Sequence, residues 1–179
     1  DFTNSDPMKD VFKLKEKAER LGAPRMNTLV LSKPVYNILK FHPKLKSTIA
    51  SFITPMFVPD EMMMQLFDVD RIIVANSRKA TTAQRVVGQG GMTNYVWGNN
   101  AVLMYLPDSA GREIPATAYT FQWTNPLANV SGLQKTRSYY QEDSKTTWVE
   151  TEEWYSHKVV SPVSAVVLPD VVDPWSSQA

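Results

Sequence analysis

The chain has 179 residues, 43% hydrophobic and 21% charged, with 19 Lys and Arg against 18 Asp and Glu, no cysteine and two histidines. A chain of this size buries roughly 70% of its unfolded surface around one core, so it needs no disulfide or structural metal. The lack of Cys excludes thiolate nucleophiles, thiolate zinc sites and iron–sulfur clusters, and a net charge of +1 gives no global pull toward nucleic acid or an anionic membrane. No apolar run approaches the roughly 18 residues of a membrane span, and Asp1 to Asp6 does not read as a signal peptide.

Asp6-Pro7 is a helix-start pair, an acceptor side chain before a residue that lacks the orphan N–H. Met8, Val11, Phe12, Leu14, Ala18 and Leu21 recur at helical spacing until Gly22 and Pro24, which predicts a helix from about Asp6 to Arg20 with Lys9, Lys13, Lys17 and Arg20 on its solvated face. Thr28–Leu31 reads as a strand buried on both faces. Ser32 and Pro34 open a second helix that should end before Pro43. Pro59-Asp60 opens a third, carrying Met62, Met63, Met64, Leu66 and Phe67, and Ile72–Ala75 follows as a second buried strand. Strand followed directly by helix is an α/β signature.

From Asn76 to Asn94 periodicity vanishes and three of the seven glycines cluster, predicting a long mobile loop. Between Arg71 and Pro107 there is no acidic residue, while Arg71, Arg78, Lys79 and Arg85 are basic. The character then turns to β. Strands are expected at Tyr95–Trp97 and Ala101–Leu106 around Gly98-Asn99-Asn100, at Thr117–Trp123, and in two long hairpin arms, Lys135–Glu142 and Thr147–Val160, turning near Asp143-Ser144-Lys145. On the second arm Trp148, Glu150, Glu152 and Trp154 alternate with Val149, Thr151, Glu153 and Tyr155, so neither face is uniformly apolar and the ribbon should extend beyond the core. Ala165–Leu168 is a last buried strand before a polar, fraying tail.

Catalytic constellations are sparse. Glu150 and Glu152 share a strand face and could serve a glycosidase, though a charged strand edge accounts for them as well. His42 and His157 have no motif partner and read as structural. The Met62–Met64 run reads as core packing, and Gly88 to Gly91 lacks the strand and the Gly-Lys-Ser/Thr of a phosphate loop. The basic loop with Arg78, Lys79 and Arg85 suits phosphate or an acidic protein surface, and equally a plain exposed loop.

The segments Asp6–Leu45, Leu66–Ser77 ("LFDVDRIIVANS"), Val96–Pro107 ("VWGNNAVLMYLP"), Thr117–Trp123 and Arg137–Val172, taken in order, resemble major capsid proteins of tailed bacteriophages, the Hong Kong 97-type fold. That resemblance implies an α+β architecture: an axial domain, with a central mixed sheet flanked by helices, and a long β-ribbon from the peripheral domain. Residues 1–27 would supply a helix, 28–134 the axial domain, 135–160 the ribbon, and 161–179 a return strand and tail. The loop 76–94 would point toward a symmetry axis. The arm, hairpin and spine helix that precede this region in the family are not found, so the chain reads as the C-terminal part of a longer capsid protein, and cross-linking chemistry gains no support.

The function so implied is a non-enzymatic shell subunit, without metal or cofactor, assembled in the bacterial cytoplasm. Its partners would be other copies of itself in pentamers and hexamers, portal, scaffolding or decoration proteins, and packaged DNA held non-specifically. Arg78, Lys79, Arg85, Tyr139, Tyr140, Trp148, Trp154 and Tyr155 are the candidates for subunit contacts, because interface anchors are rich in aromatics and Arg. Two other readings compete: a carbohydrate-binding or glycoside-processing domain using Glu150 and Glu152, and a nucleic-acid module using the basic loop.

Overall fold

The computed structural model describes residues 5–50, 56–81, 93–111, 113–122 and 135–172, which divide into two units. The first comprises residues 1–117 and 161–179; the second, 118–160, is inserted between them.

In the first unit the Asp6 carboxylate accepts from the Lys9 amide at 3.3 Å and caps helix α1 (Pro7–Arg20). Val11, Lys15 and Ala18, spaced i, i+4, i+7, form its buried face. A buried lysine is the exception here, and its partners explain it. The Lys15 ammonium donates to the Phe67 carbonyl at 2.8 Å, to the Asp68 carbonyl, and to the Asp68 carboxylate at 3.2 Å. These are the orphan acceptors at the end of helix α4 (Asp60–Phe67), where Asp68 turns left-handed at φ 49°. Arg25 closes the cluster from outside, 2.7 Å from Asp68 and 3.7 Å from Asp70.

Strand β1 (Thr28–Ser32) is buried at every position and lies at the centre of a four-stranded sheet. It pairs in parallel with β2 (Arg71–Ala75) and antiparallel with β5 (Ala101–Met104), which in turn pairs antiparallel with β10 (Ala165–Leu168). Helices α2 (Lys33–Phe41), α3 (Pro43–Ala50) and α4 make the crossover from β1 to β2. Leu29, Leu31, Val35, Leu45, Met63, Phe67 and Leu103 are among the most buried side chains of the core.

Two asparagines fix the sheet ends. The Asn27 side chain donates to the Leu106 carbonyl and accepts from the Leu106 amide, while its own carbonyl accepts from the Asp70 and Arg71 amides. At the other end Asn100 accepts from Ser32 through its carbonyl and from the Asp170 amide through its side chain.

The second unit holds two antiparallel pairs: β6 (Ala118–Gln122) with β9 (Tyr155–Val159), and β7 (Lys135–Gln141) with β8 (Thr146–Glu152). Where it joins the first unit, the Ser161 amide donates to the Thr117 carbonyl.

The structure corrects several expectations. Pro43 does not only end α2: it is the first residue of α3, the position where a missing N–H costs nothing. β2 and β10 are edge strands rather than fully buried ones, with Ile73 44% and Val167 63% exposed. Tyr95 belongs to β4 (Thr93–Tyr95), which pairs with β3 (Arg78–Ala80), so the predicted loop 76–94 carries a short hairpin and residues 95–106 do not form one. The second ribbon arm breaks at Glu153-Trp154, after which the chain pairs with β6 instead of β7. Residues 169–172 do not fray, since the Asp170 and Val171 amides bond to Asn100 and Asn99.

Lys15→Ala leaves the buried Phe67 carbonyl and the part-buried Asp68 carbonyl without the Lys15 donor and should destabilise by about 2–4 kcal/mol in urea unfolding. Ser32→Ala should be neutral or stabilise by up to about 1 kcal/mol, because the buried Ser32 hydroxyl has no hydrogen-bond partner among the described residues. Arg25, and then Lys15, hold the Asp68 carboxyl below the ordinary aspartate value of 3.8. Its stabilising contribution is therefore intact above about pH 4 and lost as pH falls through its lowered folded value. Asp68→Asn should flatten the acid limb of stability against pH, read by thermal unfolding.

Candidate assembly surface

The β7–β8 register sorts the ribbon into two faces. One carries the cross-strand pairs Lys135/Glu152, Arg137/Glu150, Tyr139/Trp148 and Gln141/Thr146; the other carries Thr136/Thr151, Ser138/Val149 and Tyr140/Thr147. On the first face the Arg137 guanidinium lies 2.7 Å from Glu150 and 3.5 Å from Glu152, and the Trp148 indole donates to the Gln141 side chain at 2.9 Å. The Tyr139/Trp148 aromatic pair thus sits between an ion-pair cluster and a hydrogen-bonded amide. The expected alternation holds for Trp148, Glu150 and Glu152, which Tyr139 joins, but not for Trp154, which lies beyond the end of β8; Tyr140 faces the other way.

Tyr155 lies in β9 opposite Gln122, with its ring centroid 5.0 Å from the His157 ring, and Trp154 sits in the break before β9. Phe121, Tyr139, Tyr140, Trp148, Trp154 and Tyr155 are each between 43% and 59% exposed, and no described residue of 118–160 is buried. Isolated two-stranded ribbons are marginal in water. Apolar exposure of this extent, with no buried residue among those described in this unit, makes the ribbons a candidate contact surface. Phe121 was not among the sequence candidates, although its i, i+2 relation to Tyr119 offered the signal; the two rings lie 6.1 Å apart.

Arg78 and Lys79 lie in β3 of the first unit, facing Tyr95 and Asn94 across the pair. The Arg78 guanidinium lies 5.0 Å from the Tyr95 ring centroid and 3.3 Å from its hydroxyl. Arg85 falls outside the described residues.

A glycosidase acid needs a carboxyl whose pKa is raised. Glu150 is half-exposed and pushed the other way, below the ordinary glutamate value of 4.5, by the hydrogen bond and charge of Arg137. His157 is exposed and bonded to the Thr120 hydroxyl at 2.9 Å. His42 is buried, 2.7 Å from the Ser5 hydroxyl through Nε2, but its Nδ1 accepts from the Lys44 amide. That acceptor role fixes the proton on Nε2, so the ring cannot take a proton from Ser5 as a general base would. Among the described residues no group of three or more His, Cys, Asp or Glu could hold a metal ion. Arg137→Leu should return the Glu150 pKa toward 4.5, measured by side-chain carboxyl NMR titration; an unchanged titration would mean that Arg137 is not the cause.

No protein-family model and no curated protein matches the chain. Solved structures do match it: the crystal structure of a phage-related protein from Bordetella bronchiseptica RB50 aligns with a TM-score of 0.72 and 25% sequence identity, covering 92% of this chain and 50% of that one. The chain thus spans about half the length of that protein. Its α+β architecture, a mixed central sheet with helices α1 to α4 among the described residues, is one it shares with a phage-related protein.

Proposed function

We propose that the chain is a structural subunit of a tailed-bacteriophage head, a major capsid protein of the Hong Kong 97 type. In this reading unit one is the axial domain, and the ribbon of unit two is the peripheral element. The observation that carries the reading is the second unit itself: large aromatics exposed on paired strands, with no buried residue among those described. The fold shared with a phage-related protein supports it. A shell subunit needs extended surfaces that are buried only on assembly, where modest contacts multiply by symmetry.

The principal partner is then another copy of the same chain, with Tyr139, Trp148, Trp154 and Tyr155 as anchors and Arg78 and Lys79 as polar contacts. Portal, scaffolding or decoration proteins and enclosed DNA are secondary partners. The role is non-catalytic, and its place is the virion, after assembly in the bacterial cytoplasm. Nothing in the geometry favours the carbohydrate reading, because Arg137 occupies both carboxylates it would use.

The test is expression of the complete gene that contains this chain, followed by electron microscopy and analytical ultracentrifugation. Closed shells of uniform diameter are expected, and Tyr139→Ala with Trp148→Ala should raise the concentration of free subunits about tenfold. A protein that stays monomeric at every concentration, or that gives saturation-transfer signals with an oligosaccharide panel, would overturn the proposal.

A further inference from the structure

His42 occupies a junction that makes it more than a packed side chain. It is the last residue before α3, and its Nδ1 accepts from the amide of Lys44, the second residue of that helix, at 3.2 Å. The imidazole is therefore the N-cap of α3. Its other nitrogen reaches 37 residues back in sequence to the Ser5 hydroxyl, immediately before the Asp6 that caps α1. Asp6 in turn pairs with Lys44 at 3.5 Å and with Lys9 at 3.6 Å. One buried ring thus joins the starts of two helices, and only the neutral ring can do so, because protonation converts Nδ1 from acceptor to donor and sets it against the Lys44 N–H.

We infer that His42 is an acid-sensitive latch, which ties the Ser5-Asp6 segment to the first turn of α3 when neutral and frees the α3 turn when protonated, while the Nε2–H bond to Ser5 persists.

The electrostatics around the ring favour a switch of this kind. The first turn of α3 contains no acidic residue and carries Lys44 and Lys46, both unfavourable at the positive end of a helix. A charged imidazolium there would add a third positive charge in place of the lost cap. Facing the ring among the described residues are Asp6 from the start of α1, which favours the charged form, and Lys44, which opposes it. Lys9 is engaged by Asp6, and Lys46 lies over the Phe41 ring. Burial, the largest influence, moves the His42 pKa below its ordinary value of 6.5. A depressed imidazole pKa gives stability that is complete above 6.5 and lost as pH falls through the folded value. The latch therefore opens on acidification and closes on return to neutral pH.

The experiment is amide hydrogen exchange on the whole chain at pH 7.5 and pH 5.0, corrected for intrinsic exchange chemistry, with interior α1 amides as the internal reference. Protection at Lys44 should fall roughly tenfold relative to α1 on acidification. In His42→Asn, whose side-chain oxygen can accept where Nδ1 did, it should hold at both pH values. Equal protection at the two pH values in the wild type, or the same fall in His42→Asn, overturns the proposal. Imidazole ¹⁵N NMR of the wild-type protein supplies a measurement that needs no variant. At pH 7.5 it should show Nε2 protonated and Nδ1 bare, and the opposite tautomer, or a charged ring, overturns the latch.

Discussion

The first unit depends on one buried cation. The Lys15 ammonium sits under the C-terminus of α4, where three oxygens from Phe67 and Asp68 converge. A helix end of this kind presents partial negative charge and unsatisfied carbonyls, and a lysine stem can lie against apolar neighbours while its head satisfies them. Because α4 leads straight into β2, the same contact sets where β2 begins beside β1, and Arg25 repeats the tie from the segment leading into β1. α1, α4 and the parallel pair are thus coupled through a single residue pair, Lys15 and Asp68.

Much of this unit was legible in the sequence, and the reasons are local. The Asp-Pro start of α1, the Thr-Leu-Val-Leu run and the Pro-Asp start of α4 each specify their element through short-range chemistry. What was not legible depends on partners distant in sequence. Lys15 sits i, i+4, i+7 with Val11 and Ala18, yet a lysine on that spacing gives no hint of burial until the carbonyls it meets are in place. Ile72–Ala75 and Ala165–Leu168 have the composition of central strands, and only the sheet order makes them edges. Trp148, Glu150 and Glu152 were placed on their shared face by alternation alone; that Arg137 would bind both carboxylates required the cross-strand register. The partner switch after Glu152, from β7 to β6, leaves no mark in a strand-like sequence that runs through Thr147–Val160.

The two units spend their apolar residues differently. In the first they converge on a core in which Val35, Leu45, Val58, Met63 and Leu103 are fully enclosed. In the second they are displayed. Hydrogen-bonded pairing holds each ribbon in register, aided in β7–β8 by the Arg137 ion pairs, but neither supplies the burial that stabilises a sheet, so covering the aromatic faces would contribute directly to folding the ribbon as well as to binding.

The insertion of residues 118–160 also bears on how the first unit forms. Its last strand, β10, pairs with β5 across a loop of about 60 residues that contains the entire second unit. Loop-closure entropy grows only logarithmically, so doubling such an excursion adds about 0.6 kcal/mol. β1, β2 and β5 can therefore pair before the inserted segment has ordered, with β10 added last at little extra cost. The hydrogen bond between Ser161 and Thr117 closes that excursion at its neck. Evolutionary lengthening or reshaping of the inserted segment would then leave the sheet of the first unit almost indifferent, so the two units are free to diverge at different rates.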